Sequence, residues 1–96
     1  MGIRRILLNY FTLREQTRRH GSEKLLCLLV DIDIALSSIA LSNRDIDVLS
    51  DYMMGYSFAE IGKEYSFTRS NADFIIKKIS EKIRAFLLGD ADENYI

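Results

Sequence analysis

The residues able to do recognition chemistry gather in one short stretch, Thr68-Arg69-Ser70-Asn71-Ala72-Asp73-Phe74-Ile75-Ile76-Lys77-Lys78. Arginine can pair bidentately with guanine in the DNA major groove, and asparagine can do the same with adenine. Lys77 and Lys78, two turns beyond Arg69 if the stretch is helical, suit phosphate oxygens, which fix position without reading sequence. Phe74 can rest on a thymine methyl or anchor a protein partner. Asp73 repels phosphate unless it accepts from a cytosine amino group. The same residue types also make an ordinary solvated helix face. The choice between the two rests on the elements that carry them.

Other chemistries find less support. No nucleophile beside a base, no cluster of metal-ligating residues and no phosphate loop stands out, so no enzymatic activity, cofactor or metal is expected. Cys27 is the single cysteine and excludes an internal disulfide. It lies in the apolar run Leu25–Val30, which predicts a buried core thiol. The lone His20 is expected to complement the C-terminal end of a helix dipole.

At 96 residues the chain suits one domain with a small core. Its lack of proline fits a protein made of helices. The net charge of −1 hides an asymmetry. Residues 1–20 carry Arg4, Arg5, Arg14, Arg18 and Arg19 against Glu15, and residues 68–88 carry Arg69, Lys77, Lys78, Lys82 and Arg84 against Asp73 and Glu81. Between them, residues 23–64 hold three bases and eight acids. Two basic ends around an acidic middle make a localised footprint for a polyanion. The apolar stretch Leu25–Leu41 is interrupted by Asp31 and Asp33 and is shorter than the ~20 residues of a membrane span. With no signal-like segment before it, a cytoplasmic protein without membrane contact is expected.

Periodicity and punctuation predict an all-α fold of five helices. The first runs from Ile3 to Arg19, with Ile3, Ile6, Leu7, Tyr10, Leu13 and Thr17 on one stripe. The second, Glu23 to Ala40, puts Leu25, Leu28, Leu29, Ile32, Leu36 and Ile39 on one face. Leu26, Val30 and Ile34 widen that stripe, which makes this helix central to the expected core, although alternation over Leu28–Ile34 also permits a strand. The third opens at Ser42 and buries Ile46, Leu49, Tyr52 and Met53. Gly55 closes it, and Tyr56 folds back in a Schellman ending. Ser57-Phe58-Ala59-Glu60 is a full capping box for the fourth helix, which ends near Tyr65. Thr68 caps the fifth, which runs to Leu88 and turns Ala72, Ile75, Ile76, Ile79, Ile83 and Phe86 inward. Its opposite arc carries Ser70, Asp73, Phe74, Lys77, Lys78 and Glu81, with Arg69 and Asn71 at the edges.

Two capped helices three residues apart are the signature of a helix-turn-helix, whose second helix enters the major groove by its N-terminal part. Gly62 falls where the two helices approach most closely, and Ile61, Tyr65, Phe67, Ala72 and Ile75 where the interior must be sealed. The run Leu41-Ser42-Asn43-Arg44-Asp45-Ile46-Asp47-Val48-Leu49, with Tyr52, Gly55, Ser57, Glu60-Ile61-Gly62 and Thr68-Arg69-Ser70-Asn71-Ala72, resembles region 4 of bacterial sigma factors. It is also similar to LuxR-type output domains and to small sigma-like phage transcription regulators. The pattern departs at Gly62, where alanine is usual, at Ser66, where glycine is usual, and at Ala72, where a larger aliphatic is usual. A positive φ is therefore expected at Ser66.

The resemblance implies a tri-helical helix-turn-helix region over residues 42–88 that binds double-stranded DNA, with RNA polymerase as a further possible partner. Residues 1–41 are then a helical pair that completes the core and dimerises or clamps the DNA backbone, and residues 89–96 an acidic flexible tail. A homodimer through the first or second helix is expected, because two-fold symmetry matches paired half-sites.

Overall fold

The computed structural model describes residues 2–89. The expected tail, from Asp90 onward, and the expected role of the His20 side chain lie outside the described residues. Among the described residues there are six helices and no strand: α1 (Ile3–Leu8), α2 (Tyr10–His20), α3 (Glu23–Ser38), α4 (Asn43–Met53), α5 (Phe58–Tyr65) and α6 (Arg69–Leu88). No helix among them is long and apolar enough to cross a membrane.

The sixth helix arises because the first expected one breaks at Asn9. Its backbone leaves helical geometry at φ −103° and ψ 12°, while its side-chain amide donates to the Arg5 carbonyl at 2.9 Å. The Asn9 N–H donates to the same carbonyl at 3.0 Å. A short amide side chain that competes for backbone partners is the usual reason asparagine sits poorly inside a helix. The apolar stripe survives the break: Ile6, Leu7 and Tyr10 are buried, as is Thr17. The Tyr10 hydroxyl donates to Asp33 and so ties α2 to α3. Burial and that bond push the Tyr10 phenol up to about 12.

The centre of the core is α6, against which α1, α3, α4 and α5 all pack. Its Ala72, Ile76, Ile79 and Ile83 are fully buried. The expectation that the second predicted helix, α3, would be central is corrected. Only Leu29, Ile32 and Ala35 of α3 are buried, and Leu26, Val30 and Ile34 are 49%, 46% and 50% exposed. The physical reason is the small number of neighbours: α3 lies mainly against α2 and α6, and the side that carries Leu26, Val30 and Ile34 is left half exposed. Cys27 belongs to that side and is exposed, not a core thiol.

A second correction concerns α4, which buries Asp45, Val48, Leu49 and Tyr52. Ile46, expected inside, is half exposed and lines a surface groove with Phe11, Leu36, Leu41 and Met53. The row Val48, Leu49 and Tyr52 takes the inward face instead, and Asp45, on the same side of the helix, meets Lys78 of α6 with 3.3 Å between them. The helix ends as its residues dictate. Gly55, at φ +99°, lets its own N–H reach the Tyr52 carbonyl and that of Tyr56 reach the Asp51 carbonyl, which completes a Schellman motif.

Candidate nucleic-acid interface

The candidate interface begins from a short helix that starts and stops sharply. The Ser57 hydroxyl accepts from the Glu60 N–H at 3.1 Å, and the Glu60 carboxylate accepts from the Ser57 N–H at 2.9 Å. That charge-assisted contact, with the backbone hydrogen bond from Ser57 first, lowers Glu60 from its ordinary carboxylate value. At the other end Ser66 adopts φ 60°, the left-handed conformation that a glycine would take without strain. The chain then turns so tightly that a Cβ on Gly62 would lie 2.6 Å from the Phe67 carbonyl oxygen. Glycine is therefore required where α5 meets the start of α6.

Aromatic side chains seal the turn. The Tyr65 ring stacks on Phe67 at 5.7 Å between centroids, and its hydroxyl donates to Asp51 of α4 at 2.8 Å. Desolvation and the Asp51 carboxylate push the Tyr65 phenol up to about 12. The Arg44 guanidinium lies 5.7 Å over the other aromatic of this stack, Phe67, within the range of a cation–π contact. Thr68 then caps α6 by accepting from the Asn71 N–H at 3.0 Å.

From that cap outward, Thr68, Arg69, Ser70 and Asn71 are all exposed, as are Phe74 and Lys77 one and two turns on. Phe74 is 62% exposed, high for a phenylalanine. The exposed residues form the free edge of a helix whose opposite side is fully packed.

Two members of the expected outer arc are engaged within the fold, which corrects their placement as free groups. Asp73 accepts from the Arg4 guanidinium at 2.6 Å, so the carboxylate expected to repel phosphate is neutralised by α1. Lys78, expected to reach phosphate, is held by buried Asp45. Sequence spacing cannot reveal either pairing, because the partners are far apart in the chain. The basic character of residues 1–20 is the only hint of the first.

Arg4 is the residue that sequence reasoning undervalued. Besides holding Asp73, its guanidinium lies 5.4 Å over the Phe58 ring, and its carbonyl accepts from the Tyr52 hydroxyl at 3.2 Å. Phe58 in turn stacks on Tyr52. Through these contacts α1 is fixed beside the first turns of α6, with its own positive charge next to the exposed edge. No protein-family model, curated protein or solved structure matches this chain.

Proposed function

We propose that this chain is a sequence-specific DNA-binding transcription regulator or sigma-like factor, in which α5 and α6 form a helix-turn-helix and α6 enters the major groove. One observation carries the reading: the first turns of α6 offer Arg69, Ser70, Asn71, Phe74 and Lys77 to solvent together, while the inward arc of the same helix is buried in the core. Arg69 and Asn71 supply hydrogen-bonding patterns for base edges, Phe74 an apolar contact, and Lys77 a phosphate contact. Neutralisation of Asp73 by Arg4 removes the charge that would oppose the approach of a polyanion.

Polarisation titrations on labelled genomic duplexes at two salt concentrations test this. Binding that weakens steeply with salt supports it, and the absence of binding at low salt contradicts it. The half-exposed row Leu26, Val30 and Ile34, spaced by four along α3, supports a further proposal, a homodimer that pairs two half-sites. A monomeric mass by light scattering at tens of micromolar would count against that.

A second reading is favoured by Phe74 alone. An aromatic this exposed is also a suitable anchor for a protein, which would make the chain an adaptor docking on RNA polymerase or another regulator. If Phe74→Ala abolishes activity in the cell and leaves DNA affinity intact, the adaptor reading replaces the first.

A further inference from the structure

One carboxylate on α6 is only half engaged. Asp73 lies in the second turn of the helix, three and four residues after Ser70 and Arg69 and four before Lys77, so it shares their neighbourhood. Its Oδ1 accepts from Arg4 Nη2 at 2.6 Å. Its Oδ2 has no hydrogen-bond partner among the described residues. The one buried side-chain oxygen without a partner among those residues is that of Ser80, so Oδ2 of Asp73 is open to solvent, on a side chain that is 50% exposed. Arg4 is itself held in place, its guanidinium over the Phe58 ring and its carbonyl bonded to the Tyr52 hydroxyl. A guanidinium that fixes one carboxylate oxygen limits where the other can point, which lowers the ordering cost of a contact made by the second.

We infer that Asp73 is a specificity-determining residue that accepts from the amino group of a cytosine in the major groove, with Arg4 as the positioning residue that holds it there; this rests on the DNA-binding proposal. An ionised carboxylate accepts hydrogen bonds and cannot donate them. Guanine turns only acceptors, N7 and O6, toward the major groove, and thymine turns O4. Adenine sets the acceptor N7 beside its amino group. Cytosine alone offers an amino donor with no acceptor of its own next to it. The N-terminal part of a recognition helix is the part that reaches base edges, and Asp73 belongs to it. Phosphates on either side would oppose a bare carboxylate. The charge of Arg4 offsets that opposition and leaves Oδ2 free to accept.

The test uses the full chain and a duplex that it enriches from a random-sequence pool, titrated by polarisation together with every single-base-pair variant of that duplex. Replacing one particular cytosine is expected to weaken binding by about tenfold. In Asp73→Ala that position alone loses its preference. In Asp73→Asn the preference is expected to pass to adenine, because an amide pairs bidentately with N6 and N7. Arg4→Ala is expected to weaken binding to all the duplexes several-fold, since the carboxylate then faces the phosphates unopposed, and adding Asp73→Asn to it is expected to restore that general loss. A pair that merely fastens α1 to α6 would lower the thermal midpoint and the affinity together and leave every base preference unchanged; that result overturns the inference. So does a set of preferences that Asp73→Ala leaves intact in a protein where Arg69→Ala relaxes one of them, and the DNA-binding proposal then stands. If the unmodified chain enriches no sequence, that proposal falls and takes the cytosine assignment with it.

Discussion

The two longest helices, α3 and α6, are both rich in branched aliphatic residues and meet different fates. Four elements pack on α6, and the arc from Ala72 to Ile83 is sealed among them. Two main neighbours, α2 and α6, pack on α3, and the row Leu26, Val30, Ile34 is left half exposed. Burial here follows the number of neighbours a helix acquires, not the number of apolar residues it offers. Stability should therefore reside in α6, while the outer face of α3 is free to change.

The largest expected effect sets the two against each other. Ile79→Ala empties a fully buried site of α6 and should lower unfolding free energy by about 2–5 kcal/mol. Val30→Ala on α3 should change it by less than about 0.5 kcal/mol, as exposed positions do. Equal losses in denaturant titrations would mean that the outer face of α3 is buried in solution, by a second copy if the midpoint rises with protein concentration.

The next prediction sharpens the account of the α5–α6 junction. Gly62→Ala should destabilise by about 1–3 kcal/mol through overpacking against the Phe67 carbonyl. This outweighs the ~1 kcal/mol that alanine gains over glycine in helix propensity. A melt that rises instead would mean that the turn relaxes without resistance. Glu60→Ala, which opens one arm of the cap at Ser57, should lower the melting midpoint by less than Gly62→Ala does in the same assay.

The smallest effect is one of pH and compares the two halves through one tyrosine each. Tyr10 ties α2 to α3, and Tyr65 ties α5 to α4. Both phenols are raised from 10.0 to about 12, so the folded state holds the proton more tightly than the unfolded chain. The stability this provides is full below pH 10 and is lost as the pH rises toward about 12. Phenolate absorbance titrated against pH in folded and denatured protein checks it, and superimposable curves would contradict it.

What the sequence made legible follows the same division. Ser57 and Glu60, Thr68, Gly55 with Tyr56, and the left-handed Ser66 are local devices, each defined by residues a few positions apart, and each was readable in the chain. The inward arc of α6 was readable too, because its apolar residues keep to one side. On α3 they occur at almost every azimuth, and such a pattern gives no direction, so its core face and Cys27 were misplaced. Asn9 broke a stripe whose period was otherwise continuous. Asp73 and Lys78 were assigned to solvent because Arg4 and Asp45, the residues that hold them, come from helices distant in sequence. Spacing within α6 says nothing about those helices.

The contrast between α6 and α3 also bears on the proposed function, because each presents an exposed face and only one of them is proposed to meet DNA. Amide chemical-shift mapping with a random-sequence duplex at low salt addresses this most directly. The account predicts perturbations from Arg69 through Lys77 at the exposed edge of α6, with the α3 row from Leu26 to Ile34 unmoved. Perturbations confined to that row, or none at any residue in excess duplex, would contradict it.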